Sequence, residues 1–343
     1  MTEFTRPAAE SRILRVLPAL SLMVLAPLIA EVLPGATRVT SIFVLPIEIL
    51  IWGGGAVLIR FSVRQLRLGW LNMLLLAMAL AVAEECLIQQ TSFAPLVIKL
   101  KGVEYARAFD FNYLYFLWAL VYESLFVVFI PIGLAELIFR RRRLQGWLSA
   151  TGVAIISLLF LPACFLAWFT WTQIARVKVF HLEAYHPPLS RIVAAALKIA
   201  ALVALAFGPL RRRIAQPPKA IRPPHPAVLF LLSGIATVVL FGLVLLGFGI
   251  QPSFPPLVAV AIGLALAALI VAFVPRLYAH ESWNVWHDVG ILYGAIITNM
   301  AVFFVGFQGS TSLDFYGKVI LDALAFVLLL CLAMHLRSSR TPS

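Results

Sequence analysis

The sequence predicts an all-α polytopic transmembrane bundle of about ten spans, with the N-terminus and the C-terminus cytoplasmic. Three observations predict it. Apolar residues make up 62% of the chain and charged residues 12%, with a mean hydropathy of +0.98, where soluble domains carry roughly a quarter charged residues. Apolar runs of about 20 residues, the length that crosses a bilayer as a helix, recur from end to end. Basic residues are alternately dense and sparse between those runs.

The runs cover residues 13–33, 42–60, 69–89, 113–139, 146–170, 189–208, 226–249, 257–274, 289–308 and 319–336. Each reads as a helix, because an isolated strand in lipid would leave its backbone groups unpaired. The first follows a basic segment with no clean small-x-small cleavage site, so it reads as an uncleaved helix. The second, IFVLPIEILIWGGGAVLIR, places an acid between Pro46 and Gly53, Gly54 and Gly55. Proline removes a backbone donor and glycine permits an unwound or closely packed segment, so this span reads as an interrupted helix. Pro27, Pro131 and Pro162 predict kinks in the first, fourth and fifth spans. No connection is long enough for a soluble domain, and residues 1–343 read as a single integral membrane domain. Its possible halves, 1–210 and 227–343, are joined by the Pro- and Arg-rich cytoplasmic linker 211–226. Ten spans permit a five-plus-five inverted repeat, although the halves share no convincing sequence similarity.

The net charge of +12 points to a membrane surface and not to nucleic acid, because of where the charge lies. With the N-terminus inside, 18 of the 27 basic residues fall on the cytoplasmic side, and seven fall outside. That asymmetry is what the positive-inside rule predicts for a cell membrane, here a bacterial inner membrane. It leaves residues 90–112 and 172–188 as the two long external connections. Cys86, Cys164 and Cys331 lie within spans and read as small packing residues. His280 and His287 stand seven apart in AHESWNVWHD, which is not the HExxH zinc spacing. With Tyr278, Trp283 and Trp286 they read as an interfacial helix. The chain has neither a P-loop nor a GxSxG elbow, and a primary pump is not supported. No cofactor is predicted.

The acids carry the functional signal. Glu31, Glu48, Glu84, Glu85, Glu123, Glu136 and Asp322 fall in or at the ends of spans, where an ionised carboxylate costs roughly 2.5–3.5 kcal/mol even on lenient scales. A rise of about 1.5 Å per residue puts Glu31, Glu48, Glu84, Glu85 and Glu123, from four consecutive spans, in the outer half of the bilayer. Ala77, Ala81, Glu85 and Gln89 share one stripe at a spacing of four, which reads as a close helix contact with polar partners. Glu84 is turned about 100° from Glu85, so one of the pair is expected inside the bundle and the other at a neighbouring helix or the interface. Lys198, in LSRIVAAALKIAALVALAFG, is the nearest candidate counter-charge. Glu48, Glu123 and one of the pair are expected to converge on an outward-facing polar cavity, with Lys198 or Arg38 beside it.

AEECLIQQ, residues 83–90, resembles the glutamate-pair motif of the CAAX-protease and bacteriocin-processing (CPBP) family of intramembrane metalloproteases. In that family a Glu-Glu pair followed by an arginine ends a helix, and one glutamate activates water held by histidines on later helices. The resemblance implies that role for Glu84 or Glu85. Gln89 stands at the arginine position, and FLWALVYESLF (116–126) lacks the histidine of the family's next motif. The segment is also similar to uncharacterised bacterial membrane proteins with paired glutamates.

The sequence therefore favours a multi-pass membrane protein with an outward-facing acidic cavity, used for solute binding or proton-coupled transport. Glu48, Glu84, Glu85, Glu123, Gln89 and Lys198 are the candidate substrate- or proton-binding residues, and no metal site is expected. The partners expected are membrane lipids and a small solute or peptide, not nucleic acid. The alternatives are a CPBP-like hydrolase or inactive relative acting on peptide or lipid, and a structural or assembly subunit. The missing histidines weigh against an enzyme.

Overall fold

A computed structural model describes residues 12–208, 211, 218–302, 304 and 311–338. The apolar runs form the helices α1 (Arg15–Val32), α2 (Val39–Gln65), α3 (Trp70–Ile88), α4 (Tyr113–Ile138) and α5 (Ala150–Val179). There follow α6 (Leu189–Phe207), α7 (Pro226–Gly247), α8 (Pro256–Tyr278), α9 (Val285–Val302) and α10 (Ser312–Ser338). Among the described residues, all of these but α9 are long and apolar enough to cross a membrane, which makes nine. The chain is an all-α multi-pass bundle. Its one sheet among the described residues is a two-residue hairpin, β1 (Arg107–Ala108) against β2 (Phe111–Asn112), in the connection between α3 and α4.

Helix α9 takes in the ninth run, and its buried polar residues lower its hydropathy below that of the other spans. It carries His287 and Asn299, both buried against neighbouring helices. A Cβ on Gly290 would lie 2.4 Å from the carbonyl oxygen of Pro226, and one on Gly294 would lie 2.2 Å from that of Phe230. The contact thus advances in step along both helices, so α7 and α9 run parallel with their backbones touching. Small residues permit such an approach, which is how helices associate where hydrocarbon offers no hydrophobic drive. Running beside α7, α9 traverses the same layer.

Helices α1 to α4 hold most of the packed interior, with Leu22, Ala56, Leu114 and Phe126 almost fully enclosed. The outer helices show apolar side chains such as Leu158, Leu161, Phe165 and Leu231 at the surface. In lipid that surface needs no cover.

The predicted breaks are changes of hydrogen-bond register instead. The second span is continuous: a 3₁₀ stretch Val39–Val44, a helical turn Leu45–Glu48, a π turn Ile49–Gly53 and an α segment Gly54–Gln65. Gly53 serves close packing, since a Cβ there would lie 2.1 Å from the carbonyl oxygen of Met23 on α1. Further π turns occupy Leu28–Val32, Glu84–Ile88, Glu123–Phe129 and Thr170–Val179. Pro27 directly precedes the first of these, and Pro131 stands in the first turn of the α segment that follows the Glu123–Phe129 turn. A missing N–H there displaces the bonding register without opening the helix.

Two connections differ from expectation. The external segment expected at 172–188 is helical as far as Val179. Its polar residues do not break the helix because they find partners: Thr172 donates to the Trp168 carbonyl at 2.7 Å, and Arg176 donates to the carbonyls of Glu183 and Pro95, both at 2.9 Å. Residues 279–288 form a turn followed by the start of α9, and not one interfacial helix. His280 Nδ1 pairs with Ser282, while His287 Nδ1 accepts from the Asn284 N–H at 3.1 Å. Arg6, Arg212, Arg213 and Arg340, and linker residues 212–217, lie outside the described residues.

Gly294→Ala should force α7 and α9 apart and lower stability by about 1–3 kcal/mol, the usual penalty of overpacking. Gly242→Ala meets no atom within 4 Å and should be neutral or slightly stabilising. Thermal melts of both variants in detergent check this; equal melting temperatures would refute the parallel contact.

Candidate functional site

Five carboxyl groups meet in the half of the bundle that the charge asymmetry of the sequence places outermost, and each arrives on or beside a π turn. Glu31 lies in Leu28–Val32, Glu48 directly precedes Ile49–Gly53, Glu84 and Glu85 open Glu84–Ile88, and Glu123 opens Glu123–Phe129. Glu84 and Glu85 are 3% exposed, Glu48 6% and Glu123 8%. Glu123 stands within hydrogen-bonding reach of both Glu84 and Glu85, and Glu31 feels the charges of Glu48, Glu84 and Glu85.

Neutral donors surround the group. Thr37 donates to Glu48 Oε1 at 2.5 Å, and the Thr37 N–H bonds the Glu31 carbonyl at 3.0 Å. The Trp52 indole donates to Glu84 Oε2, and the Gln89 amide to Glu84 Oε1 at 3.0 Å. Glu85 accepts from the Thr91 hydroxyl, from Ser92 at 3.2 Å and from Tyr115 at 3.3 Å. No donor reaches Glu48 Oε2 or Glu123 Oε2, although both are buried.

The π turn at Glu84 changes two expectations. Neither glutamate is left at the interface: Glu84 is buried against Trp52 of α2, and Glu85 against Tyr115 of α4 and the Thr91–Ser92 segment. The same turn breaks the stripe of four. Gln89 lies one π turn beyond Glu84 and bonds it, five residues apart, and does not extend the Glu85 face.

Lys198 is not the counter-charge. It is exposed on α6, with its ammonium 6.0 Å from the Phe111 ring. Arg38 acts on Asp314 of α10. The ion pairs of buried acids belong elsewhere: Arg60 and Arg64 hold Glu136 at 2.9 and 2.6 Å near the inner end of α4, and Lys318 holds Asp322 at 2.5 Å on α10. Residues the sequence reading missed complete the site: Thr37, Trp52, Thr91, Ser92 and Tyr115. Thr91 and Ser92 follow Glu85 by six and seven residues, and that nearness in sequence is the one signal that could have found them.

The cluster is enclosed. Its carboxyls are buried and bonded to nearby hydroxyl, indole and amide groups, instead of opening into the outward-facing polar cavity expected. Among the described residues, no three His, Cys, Asp or Glu side chains are grouped to hold a metal ion. His181 and His186 lie on the connection after α5, His280 and His287 before and at the start of α9. What the arrangement can hold is protons, because two carboxyls bond each other only when one of them carries one.

Glu85→Gln should keep an acceptor for the hydroxyls of Thr91, Ser92 and Tyr115 and should melt close to the parent. Glu85→Ala strips all three of their partner, at about 1–3 kcal/mol for each buried group left unpaired. Equal melting temperatures for the two variants would remove this account of the site.

Neither a family model, nor a curated protein, nor a solved structure matches the chain.

Proposed function

We propose that this chain is a solute-binding or proton-coupled transport protein of a cell membrane, taken to be a bacterial inner membrane, whose carboxyl cluster binds and releases a proton. The observation that carries the reading is Glu123 within hydrogen-bonding reach of Glu84 and Glu85 at once, with its Oε2 buried and reached by no donor. Structural polar contacts between helices are satisfied by one donor and one acceptor, as Asn72 does with the Ala206 carbonyl at 2.8 Å. Five carboxyls in apolar surroundings hold helices together at far greater desolvation cost than such amides. Intramembrane acids that persist at this cost mark ion and proton pathways. The resemblance to intramembrane proteases would ask for histidines beside the pair, and no observation favours it over proton binding.

Infrared difference spectra of the reconstituted protein, between acidic and alkaline buffer, test the reading directly. A protonated-carboxyl C=O band should appear in acid, shift in heavy water and be reduced in Glu123→Gln, while Glu136→Gln leaves it intact. A spectrum in which no buried carboxyl titrates would leave the cluster a structural feature only.

A further inference from the structure

A groove of about 410 Å³ opens between the end of α3, the middle of α5 and the start of α6, lined by Leu87, Gln90, Trp168, His186, Pro187 and Ile192. Its volume falls in the range of small-molecule sites, roughly 300–1,000 Å³. One polar side chain in it is built for a missing partner. Gln90 is 5% exposed, and its Oε1 is buried with no donor. Its Nε2 points at the Leu87 carbonyl, 3.4 Å away, so turning the amide over would set oxygen against oxygen. Gln90 also has φ +60°, an uncommon backbone conformation for a residue other than glycine. A strained residue with an orphan acceptor costs stability unless something else is gained.

The surroundings select the donor. Trp168 and His186 offer ring surfaces, Leu87, Pro187 and Ile192 offer apolar walls, and no lysine or arginine lines the groove. The groove also lies on the approach to the acids. Gln89, next to Gln90, bonds Glu84, and Glu84 acts electrostatically on Cys164, one helical turn from Trp168 on α5. A group of carboxyls behind low-dielectric walls concentrates cations at the nearest concavity, and an indole face favours them further.

We propose that this groove binds a primary amine carried on an apolar body, the Gln90 side chain giving up its 3.4 Å contact to Leu87 and turning Oε1 into the groove to accept from the ammonium, while the body lies against Trp168, Leu87 and Ile192. The assignment names a solute class for the carrier reading and rests on it for a role, but the binding itself is a separate measurement.

Calorimetry on the full chain in nanodiscs, with three probes of matched shape, tests it. The probes are 2-phenylethylamine, 2-phenylethanol, which is neutral, and 2-phenylethyltrimethylammonium, which is charged but has no N–H. The amine should bind about tenfold more tightly than either, the scale of one hydrogen bond from a charged donor. Gln90→Leu should remove that advantage and leave the trimethylammonium, which has no N–H to donate, unchanged. Equal affinities for the three probes would mean partition of the phenyl group into lipid, and would overturn the proposal. So would a trimethylammonium that binds as well as the amine, or an amine advantage that survives in Gln90→Leu. Should Gln90→Leu not fold, the ranking of probes on the parent still decides. Amine selectivity without a titrating carboxyl band would sustain the groove and sink proton binding; the reverse pattern would sink the groove alone.

Discussion

Five carboxyl groups held in the apolar half of a bundle need either cations or hydrogen-bond donors, and this chain supplies donors. A buried carboxylate left unpaired would cost several kcal/mol, so the local structure around the cluster follows from that demand. The indole of Trp52, the hydroxyls of Thr37, Thr91, Ser92 and Tyr115 and the amide of Gln89 come from α2, α4 and the segments that end α1 and α3. These groups sit where they do because the helices leave α-geometry at this depth. A π turn widens the helix and shifts its register, and around it Glu84 meets Trp52 and Gln89 while Glu85 meets Thr91, Ser92 and Tyr115, so both are buried. The turn also carries Gln89 back over Glu84.

The inner end of the same helices answers the demand in the opposite way. There Glu136 on α4 is held by Arg60 and Arg64 on α2, and the Arg60 guanidinium lies 3.1 Å from the centre of the Trp147 ring. Arg60 also donates to the carbonyls of Arg143 and Gln145, so the connection after α4 is pinned to α2. Such a network is held firmly, because each nitrogen of the Arg60 guanidinium has an acceptor and breaking it would strand a buried charge. The outer cluster has spare capacity in two unreached carboxyl oxygens. One pair of helices thus carries a closed ion network at one end and an incompletely bonded acid group at the other, and the second is the end where chemistry can change.

Most of the architecture was legible in the sequence because bilayer thickness sets helix length. The runs placed the spans, and counting residues from their ends placed the five acids at one depth. What the residues could not show was helical register, since the stripe through Ala77, Ala81, Glu85 and Gln89 assumes 3.6 residues per turn and the π turn at Glu84 departs from it. Lys198 looked like a counter-charge by depth alone, but its side chain is exposed and its ammonium lies 6.0 Å from the Phe111 ring, not on a carboxylate. Helix α5 ran past its apolar stretch because Thr172 and Arg176 found carbonyl partners, which periodicity does not reveal. Thr91 and Ser92 were hidden for a related reason, as their role depends on a sharp turn at Gln90.

That turn links the cluster to the outside. With Gln90 left-handed, the chain folds back so that the Ser92 N–H meets the Glu85 carbonyl at 3.2 Å and both hydroxyls reach the Glu85 carboxyl. Asn112, at the end of the hairpin, holds the fold with 2.7 Å bonds to the carbonyls of Thr91 and Ala94. The segment that follows Gln90 is therefore the one that supplies Glu85 with two of its donors. The burial of this carboxyl and its bonding depend on one and the same turn, so a change that straightens the chain at Gln90 removes both donors together.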